Sequence, residues 1–371
     1  MNDLNMNRLP VPTWNQCGVN SAPKAAALPA VPADDWGEVN LAFTLPAGVG
    51  EAEEDFTTFA ESGMGAETDA FLLGNANVRS ALTVAEGVEV NDPVQFEVTL
   101  DAAHPTALSV FSLDAKAHSS VTLVQVVRGD AENGVAASLT RIRAGEGAHV
   151  KLVQIQLLGS KARRWNAVAV EEGPGAKVEQ VRVELGGSLS ACGTRAMLGT
   201  PKSEYDLDAV YFGGEDAVLD YNDVSVHTAK DTLCEMHTAG VLTGNADKIL
   251  RGTIDFRRGA KRGVGHESED VLLFSPHARN RTAPLILCGE EEVEGQHAAS
   301  IGRLDEAKLY YLRSRGLNEA QARRLMVDAR FAPAIEKIPL EALREEVRAG
   351  WMKHADHTEQ PLGERFPHSG R

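Results

Sequence analysis

The sequence predicts a mainly β fold: a right-handed parallel β-helix-like core with a mixed amino-terminal region and a carboxy-terminal helical subdomain. Two observations predict the core. Segments in which apolar and polar residues alternate dominate residues 95–290, and alternation with a period of two is typical of β-strands. These segments also recur at a nearly constant spacing, which is typical of solenoids. A change to helical periodicity after residue 304 predicts the helical subdomain.

These patterns divide the chain into four parts. Residues 1–94 form a mixed region, in which Pro- and Ala-rich connectors separate short apolar segments. Residues 95–303 form the predicted β-helix core, and residues 304–353 the helical subdomain. Residues 354–371 are polar and punctuated by Pro and Gly, which predicts a flexible tail.

Regular spacing of the strands is the main evidence for a β-helix. Clear alternation begins at Gln95, Val121, Val150 and Val178, and the last three starts differ by 29 and 28 residues (150 − 121 and 178 − 150). Continuing the series places the next strands near residues 205 and 232. No helical segment separates the repeats, so we expect the chain to form stacked coils of a β-solenoid, with Val, Leu and Ile side chains pointing inward. A β-sandwich is the alternative, but it does not require a constant period.

Helices are expected after the last strand. The first covers residues 305–313 and ends before Gly316, which suits a left-handed C-terminal cap. Asn318 is expected to cap the second helix, with Gln321 three residues later in the position of a capping box. Leu325 and Met326 are expected on the apolar face of this second helix.

Charge and hydropathy restrict the classes of partner. The formal net charge is −16, from 53 acidic and 37 basic residues. This balance argues against binding to nucleic acid or to an anionic membrane surface, because both require a basic face. No apolar run approaches the ~20 residues that a bilayer requires, and no apolar signal-peptide core is found near the start. A cytoplasmic protein is therefore expected.

The four cysteines do not form a recognisable framework. Cys17, Cys192, Cys234 and Cys288 are widely separated and no C-x-x-C occurs, so neither a zinc site nor a disulfide framework is predicted. A reducing compartment fits this pattern. No G-x-x-x-x-G-K-[ST] motif is found, so any ATP chemistry is expected to come from a partner.

The most specific segment of the sequence spans residues 290–329. Four elements follow one another in it: Glu291-Glu292-Val293, His297-Ala298-Ala299, Gly302-Arg303-Leu304-Asp305-Glu306, and Tyr310-Tyr311-Leu312-Arg313-Ser314-Arg315-Gly316. In this order they resemble the carboxy-terminal signature of the SufB/SufD family, the scaffold proteins of the SUF iron–sulfur cluster assembly machinery.

The resemblance implies a non-catalytic scaffold with a transient iron–sulfur cluster and no permanently bound cofactor. It implies a SufC-type ABC ATPase as partner, together with dimerisation through the β-helix, either with itself or with a SufB/SufD-type paralogue. The carboxy-terminal helices are expected to contact the ATPase, because their aromatic and Arg side chains are typical interface anchors: Tyr310, Tyr311, Leu312, Arg313 and Arg315. Rearrangement of the ATPase is expected to open the dimer and expose the ligands.

His297 aligns with the His of the family motif, so the resemblance makes it the first candidate ligand. It is expected at the junction of the last strand and the first helix. In the SufD-like form of the motif a Cys stands two residues before the His, whereas here that position is Gly295. Cys288 and Glu292 are therefore the nearest candidates to complete a site with His297. For Cys288 a buried structural role is the alternative.

Two further segments contain possible ligands. The SufB-like form of the family has a functional Cys in a short Gln-Cys-Asp run, and this chain has His266-Glu267 in that neighbourhood. Both residue types can bind iron, and the alternative is a solvated loop before a strand. Cys234 lies on the predicted ladder, where core packing is the better interpretation.

Two other classes of function compete with a scaffold. Polysaccharide-active enzymes also use a β-helix, but they line a long groove with aromatic residues and paired acids. Aromatic residues make up only 5% of this chain, and no recurring acidic pair stands on the ladder. A structural interaction module that binds no metal is the other alternative.

Overall fold

Two facing β-sheets make up most of the computed structural model, which describes residues 4–13, 15–23, 28, 38–52, 59–303 and 305–356. Sheet A has nine strands, in the order β1 Leu41–Thr44, β4 Val94–Leu100, β6 Ser120–Gly129, β8 His149–Leu158, β10 Lys177–Gly186, β12 Glu204–Gly213, β14 Leu233–Leu242, β16 Gly263–Leu273 and β18 Val293–Arg303. Sheet B also has nine, in the order β2 Val49–Glu51, β3 Val78–Val84, β5 Thr106–Ala115, β7 Val135–Ala144, β9 Arg163–Glu172, β11 Leu189–Leu198, β13 Val218–His227, β15 Asp247–Phe256 and β17 Arg279–Cys288. The helices are a 3₁₀ turn Asn15–Cys17, α1 Ala66–Asn75, α2 Glu306–Ser314, α3 Glu319–Ile335 and α4 Glu341–Asp356.

From β3 onward the chain alternates between the sheets, so each strand pairs in parallel with the strand two positions further along. The result is a parallel β-solenoid of about eight turns, and the predicted mainly β fold is confirmed. Every predicted strand start lies within one residue of a start in sheet A. The predicted series of strands missed sheet B, which supplies a second strand in each turn.

Alternation of side chains forms the core between the sheets. Strand β4 buries Val94, Phe96, Val98 and Leu100, and the residues between them are half-buried. Because parallel partners share a face, the inward rows of successive strands stack into continuous apolar columns.

The carboxy-terminal helices cover part of the outer face of sheet A. Phe331 of α3 and Trp351 of α4 meet edge to face, with ring centroids 6.3 Å apart, and pack on Val181 and Val183 of β10. Full burial of each large aromatic side chain stabilises the fold by about 2–3 kcal/mol. The helical subdomain is thereby fixed to the solenoid.

The amino-terminal region covers the outer face of sheet B. Trp165 is fully buried there, in one cluster with Met6 and Leu72. Asn7 is also buried, and its amide nitrogen donates to Asp220 Oδ1 at 2.6 Å. Outward residues of sheet B are therefore buried as well as inward ones.

Left-handed backbone marks the turns that lead into the sheet A strands from β6 to β16. Gly147 (φ +60°) and Gly175 (φ +64°) fill this position in two turns, as their Gly-rich sequence predicts. Later turns place Lys202 (φ +63°), Asp231 (φ +60°) and Arg262 (φ +58°) there instead. Each of these N–H groups donates to a carbonyl of the following turn, which continues the stacking outside the sheets.

The helix boundaries follow the predicted caps. Gly316 has φ +97°, and Asn318 and Gln321 form the predicted capping box of α3. The prediction was wrong for Leu325, which is 48% exposed, whereas Met326 is half-buried. Helix α3 packs through Val327 instead, and a residue two positions away on a helix points in a different direction.

Helix α4 ends at Asp356, three residues beyond the predicted boundary at residue 353. The remainder of the predicted tail, residues 357–371, lies outside the described residues. Within the part of the chain that the structure describes, no helix is long and apolar enough to cross a bilayer.

Candidate functional site

His297 lies in the middle of β18, directly beside Glu267 of the neighbouring strand β16. The prediction of a strand–helix junction was wrong, since β18 continues for six residues beyond His297. The two side chains face the interior of the solenoid, and His297 Nδ1 is 3.4 Å from Glu267 Oε2. Because β18 is the last strand of sheet A, His297 stays partly exposed at the open end, at 22% of its side chain.

Glu267 is 4% exposed, and its carboxylate has no hydrogen-bond partner of normal length among the described residues. Gly252 of β15 provides the space for it: a Cβ at that position would lie 1.7 Å from Glu267 Oε1. The interaction with Glu267, a long hydrogen bond and an ion pair, raises the pKa of His297, while partial burial opposes this change. The pair is thus an imidazole and a carboxylate held together at the solenoid end.

A second buried acid lies two residues further along β16. Glu269 accepts a hydrogen bond from Thr282 Oγ1 at 2.5 Å and pairs with Lys248 Nζ, which also donates to Asn280 Oδ1 at 2.9 Å. Burial lowers the pKa of Lys248, and the neighbouring carboxylates oppose that shift. Charged groups therefore line the interior below His297. The sequence prediction missed this layer, because Lys248 and Glu269 become neighbours only when two sheets face each other.

His266 points to the opposite side of β16 from Glu267. The alternative of a solvated loop was wrong, because both residues belong to the strand, and adjacent residues of a strand face opposite sides. On the outer face, His266 Nδ1 is 2.8 Å from Glu235 Oε1 and its Nε2 is 3.5 Å from Glu294 Oε1. His266 therefore does not share a site with His297.

Cys288 is the last residue of β17 and is exposed, so it is not a buried structural cysteine. Gly295 of β18 packs against Ile286 of β17. Cys288 lies two residues beyond Ile286 along β17, on the side away from His297. Four residues of strand separate the levels of Cys288 and His297, or about 13 Å at the usual rise per residue.

Glu292 is exposed in the turn between β17 and β18, where its carbonyl accepts a hydrogen bond from the Arg262 N–H at 2.5 Å. Of the five predicted ligands, the structure brings together only His297 and Glu267. In the residues described, no three His, Cys, Asp or Glu side chains are grouped closely enough to hold a metal ion. A single chain therefore does not present the predicted ligand set assembled.

Cys234, in contrast, is fully buried in the core, as predicted. Burial raises the pKa of its thiol, which disfavours the thiolate that metal binding requires.

The predicted partner-binding residues lie on the surface of α2 and the turn after it. Tyr310 and Tyr311 are 77% and 56% exposed, whereas Leu312 is half-buried. Arg315 lies 5.2 Å from the centre of the Tyr311 ring, and Arg313 is an exposed side chain 4.0 Å from Glu319. Two large aromatic rings and two guanidinium groups are therefore available on one short helix and the turn that follows it.

The two edge strands also belong to this end of the molecule. Strand β18 is the last strand of sheet A and β17 is the last strand of sheet B. Each pairs with only one neighbouring strand among the described residues. All but two of the eleven residues of β18 are exposed. The sequence pattern did not show which strands would be the last, so this surface was not predicted.

Comparison with known proteins gives one consistent result. A family model described as "SUF system FeS cluster assembly, SufBD core domain" matches residues 98–330. Over 270 residues the chain is 26% identical to the iron–sulfur cluster assembly protein SufD of Bacillus subtilis, covering 72% of this chain and 62% of that protein. Over 174 residues it is 33% identical to a SufBD family protein of Pyrococcus horikoshii, covering 43% of this chain and 38% of that protein. A SufBD family protein of Mycobacterium tuberculosis is 26% identical over 291 residues, which cover 76% of this chain and 72% of that protein.

The chain thus spans less than two thirds of the first two of these relatives. The matched family region, which is more than half of the chain, begins within β4 and ends within α3. It contains the whole of the last turn, with His297 and Glu267.

Proposed function

Because this chain belongs to the SufB/SufD family of iron–sulfur cluster assembly proteins, we propose that it is a non-catalytic scaffold for cluster assembly in the cytoplasm. The observation that supports this most is the pairing of His297 with the buried Glu267 at the open end of the solenoid. The iron–sulfur cluster is cargo in this proposal, held transiently and passed on.

His297 and Glu267 are the proposed first ligands. Imidazole and carboxylate both bind iron, and Glu267 is held in place without another hydrogen-bond partner of normal length among the described residues. The exposed thiol of Cys288 is the nearest softer ligand, although it lies beyond direct reach of His297 in one chain. A site with further ligands therefore requires a second chain or a movement of the last turn.

We propose that the second chain binds along the exposed edge of β18. An unpaired strand edge is a template for another strand, and β18 has no Pro or Lys to prevent such pairing. Strand β17 is less suitable, since Pro284 interrupts its row of donors. An antiparallel pair centred on Ala298 would bring the His297 residues of the two chains close together, whether the partner is a second copy or a paralogue.

Helix α2 is the proposed contact for a SufC-type ABC ATPase. Exposed Tyr310 and Tyr311, with Arg313 and Arg315 beside them, have the composition of interface hot spots. The helix follows β18 directly in the chain. Movement of an ATPase bound there would therefore pull on the proposed dimer edge and open or close the ligand site.

Substitution of His297 by Ala tests the site. The protein would be produced with its ATPase partner, purified without oxygen and reconstituted, and iron and sulfide would be measured per folded chain. Loss of a ligand is expected to weaken iron binding by at least about tenfold. Gln296→Ala is the matched control, because Gln296 is the exposed neighbour of His297 on the opposite face of β18.

Normal iron content in a folded His297→Ala protein would exclude this site, although the family assignment would stand. If the wild-type complex itself takes up no iron, the chain is better described as an interaction module without metal.

A further inference from the structure

A small cavity lies inside the first turns of the solenoid, far from the last turn. Its lining includes Phe96, Phe111, Ser109, Gln125 and Arg164, all of which face the interior. The volume is about 10 Å³, close to the minimum that one water-sized occupant needs. A polyatomic anion such as sulfate or phosphate does not fit.

Arg164 places a guanidinium group in this cavity without a counter-ion in contact. Its side chain belongs to a residue only 4% exposed, and Nε is buried with no hydrogen-bond partner among the residues described. Glu184 acts on it electrostatically, but among the described residues the ion pair of this region joins Arg182 to Asp223, and none joins Arg164 to a carboxylate. Glu184 instead accepts a hydrogen bond from Ser190 Oγ at 2.7 Å. Burying a cation with no anion in contact is costly, so a negative charge directly beside it is favoured.

Gln125 directs a second unpaired donor into the same cavity. Its Oε1 accepts from Thr140 Oγ1 at 3.1 Å and from Gln154 Nε2 at 2.8 Å, which fixes the orientation of the amide. Its Nε2 is buried and has no partner among the described residues. Gln125 therefore presents an N–H donor, not an acceptor, to whatever occupies the cavity.

A chain of hydrogen bonds leads to this donor along the solenoid axis. Tyr205 Oη donates to Gln180 Oε1 at 2.6 Å, Gln180 Nε2 donates to Gln154 Oε1 at 2.9 Å, and Gln154 Nε2 donates to Gln125 Oε1. All donors point the same way, so the dipoles add and each bond polarises the next. The positive end of the chain is the free N–H of Gln125, beside Arg164.

We propose that this cavity binds a single monatomic anion of halide size, held by Gln125 Nε2 and the Arg164 guanidinium. Both groups are donors and neither can accept, so an acceptor is needed between them. The Ser109 hydroxyl can rotate to donate as a third group. A neutral water molecule would satisfy the donors but would leave the guanidinium without an anion in contact.

Thermal unfolding in different salts tests the proposal. At constant ionic strength, chloride or bromide is expected to raise the Tm saturably by about 3 °C relative to gluconate, because a ligand that binds only the folded state stabilises it. Gln125→Glu should remove this dependence, since it places a fixed carboxylate beside Arg164 and keeps the acceptor used by Thr140 and Gln154. This variant should also be more stable than wild type in gluconate.

Gln95→Glu makes the same change on an outward position of β4 and should keep the wild-type response to chloride. A crystal of the wild-type protein soaked in bromide should show an anomalous peak within hydrogen-bonding distance of Gln125 and Arg164. The proposal is wrong if the Tm is equal in all the salts, if the halide effect persists in Gln125→Glu, or if the cavity contains only water.

Discussion

At the residue scale, side-chain direction decides which of the predicted ligands can act together. His266 and Glu267 were predicted as one pair because they are adjacent in sequence. Strand geometry separates them, and pairs Glu267 with His297 of the next turn instead. The alternation of β16 is visible in the sequence, so the separation could have been predicted once the segment was assigned to a strand. The distance between Cys288 and His297 could not have been predicted from the sequence, because it depends on how the two sheets face each other.

Gly252 should be required only because Glu267 occupies the space beside it. Gly252→Ala places a Cβ 1.7 Å from the Glu267 carboxylate, and overpacking of this kind costs about 1–3 kcal/mol. The free energy of unfolding would be measured in denaturant, alone and in a Glu267→Ala background. In that background the added methyl has room, and Gly252→Ala should cost less than about 0.5 kcal/mol. Equal costs in the two backgrounds would show that Glu267 does not fill this space.

His227 should make the fold sensitive to mild acid. It is fully buried, Thr232 Oγ1 lies 2.8 Å from its Nδ1, and burial lowers its pKa from 6.5 to about 4. The unfolded chain therefore binds a proton near pH 6.5 that the folded chain accepts only near pH 4. The contribution of neutral His227 to the free energy of unfolding is therefore intact above pH 6.5. It is lost as the pH falls towards 4, by about 3 kcal/mol in total.

The Tm at pH 7 and pH 5 would be compared for wild type and His227→Leu. The variant loses a hydrogen bond at neutral pH, but its Tm should fall less between the two pH values. The exposed His277 provides the control, since His277→Ala should retain the wild-type pH dependence. The same fall in all three proteins would contradict a neutral, buried His227.

At the element scale, alternation predicted the strands of sheet A and failed for those of sheet B. Strand β4 shows why the first succeeded, with buried residues at every second position. Strand β9 shows why the second failed: eight of its ten residues are buried, because Trp165 and its outward neighbours lie under the amino-terminal region. Strands buried on both faces lose the period-two pattern. The 28-residue period was therefore correct, but each period contains two strands.

The left-handed turn residues should set a local limit on substitution. Lys202 is exposed and has φ +63°, so Lys202→Val puts a β-branched side chain where it is strongly disfavoured and should cost about 1–2 kcal/mol. Lys230→Val is the matched control, since Lys230 is an exposed turn residue without positive φ. It should change the free energy of unfolding by less than about 0.5 kcal/mol. Similar losses in the two variants would mean that backbone strain is not the cause.

At the scale of the whole molecule, the two ends of the solenoid differ in a way that suits a partner at one of them. The first strands pair with β1 and β2, which are antiparallel to their neighbours and interrupt the stack. The last strands, β17 and β18, have no such cover among the described residues. The motif around His297 identified this histidine, which lies at this end, as a candidate ligand from the sequence. It did not predict that the end is open, because that depends on the number of turns and on the path of the chain after β18.

The open edge of β18 leads to the last prediction, that Ala298→Lys will separate the proposed dimer. Antiparallel pairing centred on Ala298 sets this residue opposite its own copy, and like charges directly opposite each other destabilise a strand pair. In the single chain the new side chain is exposed, so folding should not change. Sedimentation velocity should show a dimer for wild type and a mass close to one chain for the variant. Thr122→Lys, on the outward face of the internal strand β6, introduces the same charge away from the edge and should remain dimeric. If Ala298→Lys is as dimeric as wild type, the chains associate through another surface, and His297 must find its remaining ligands there or within its own chain.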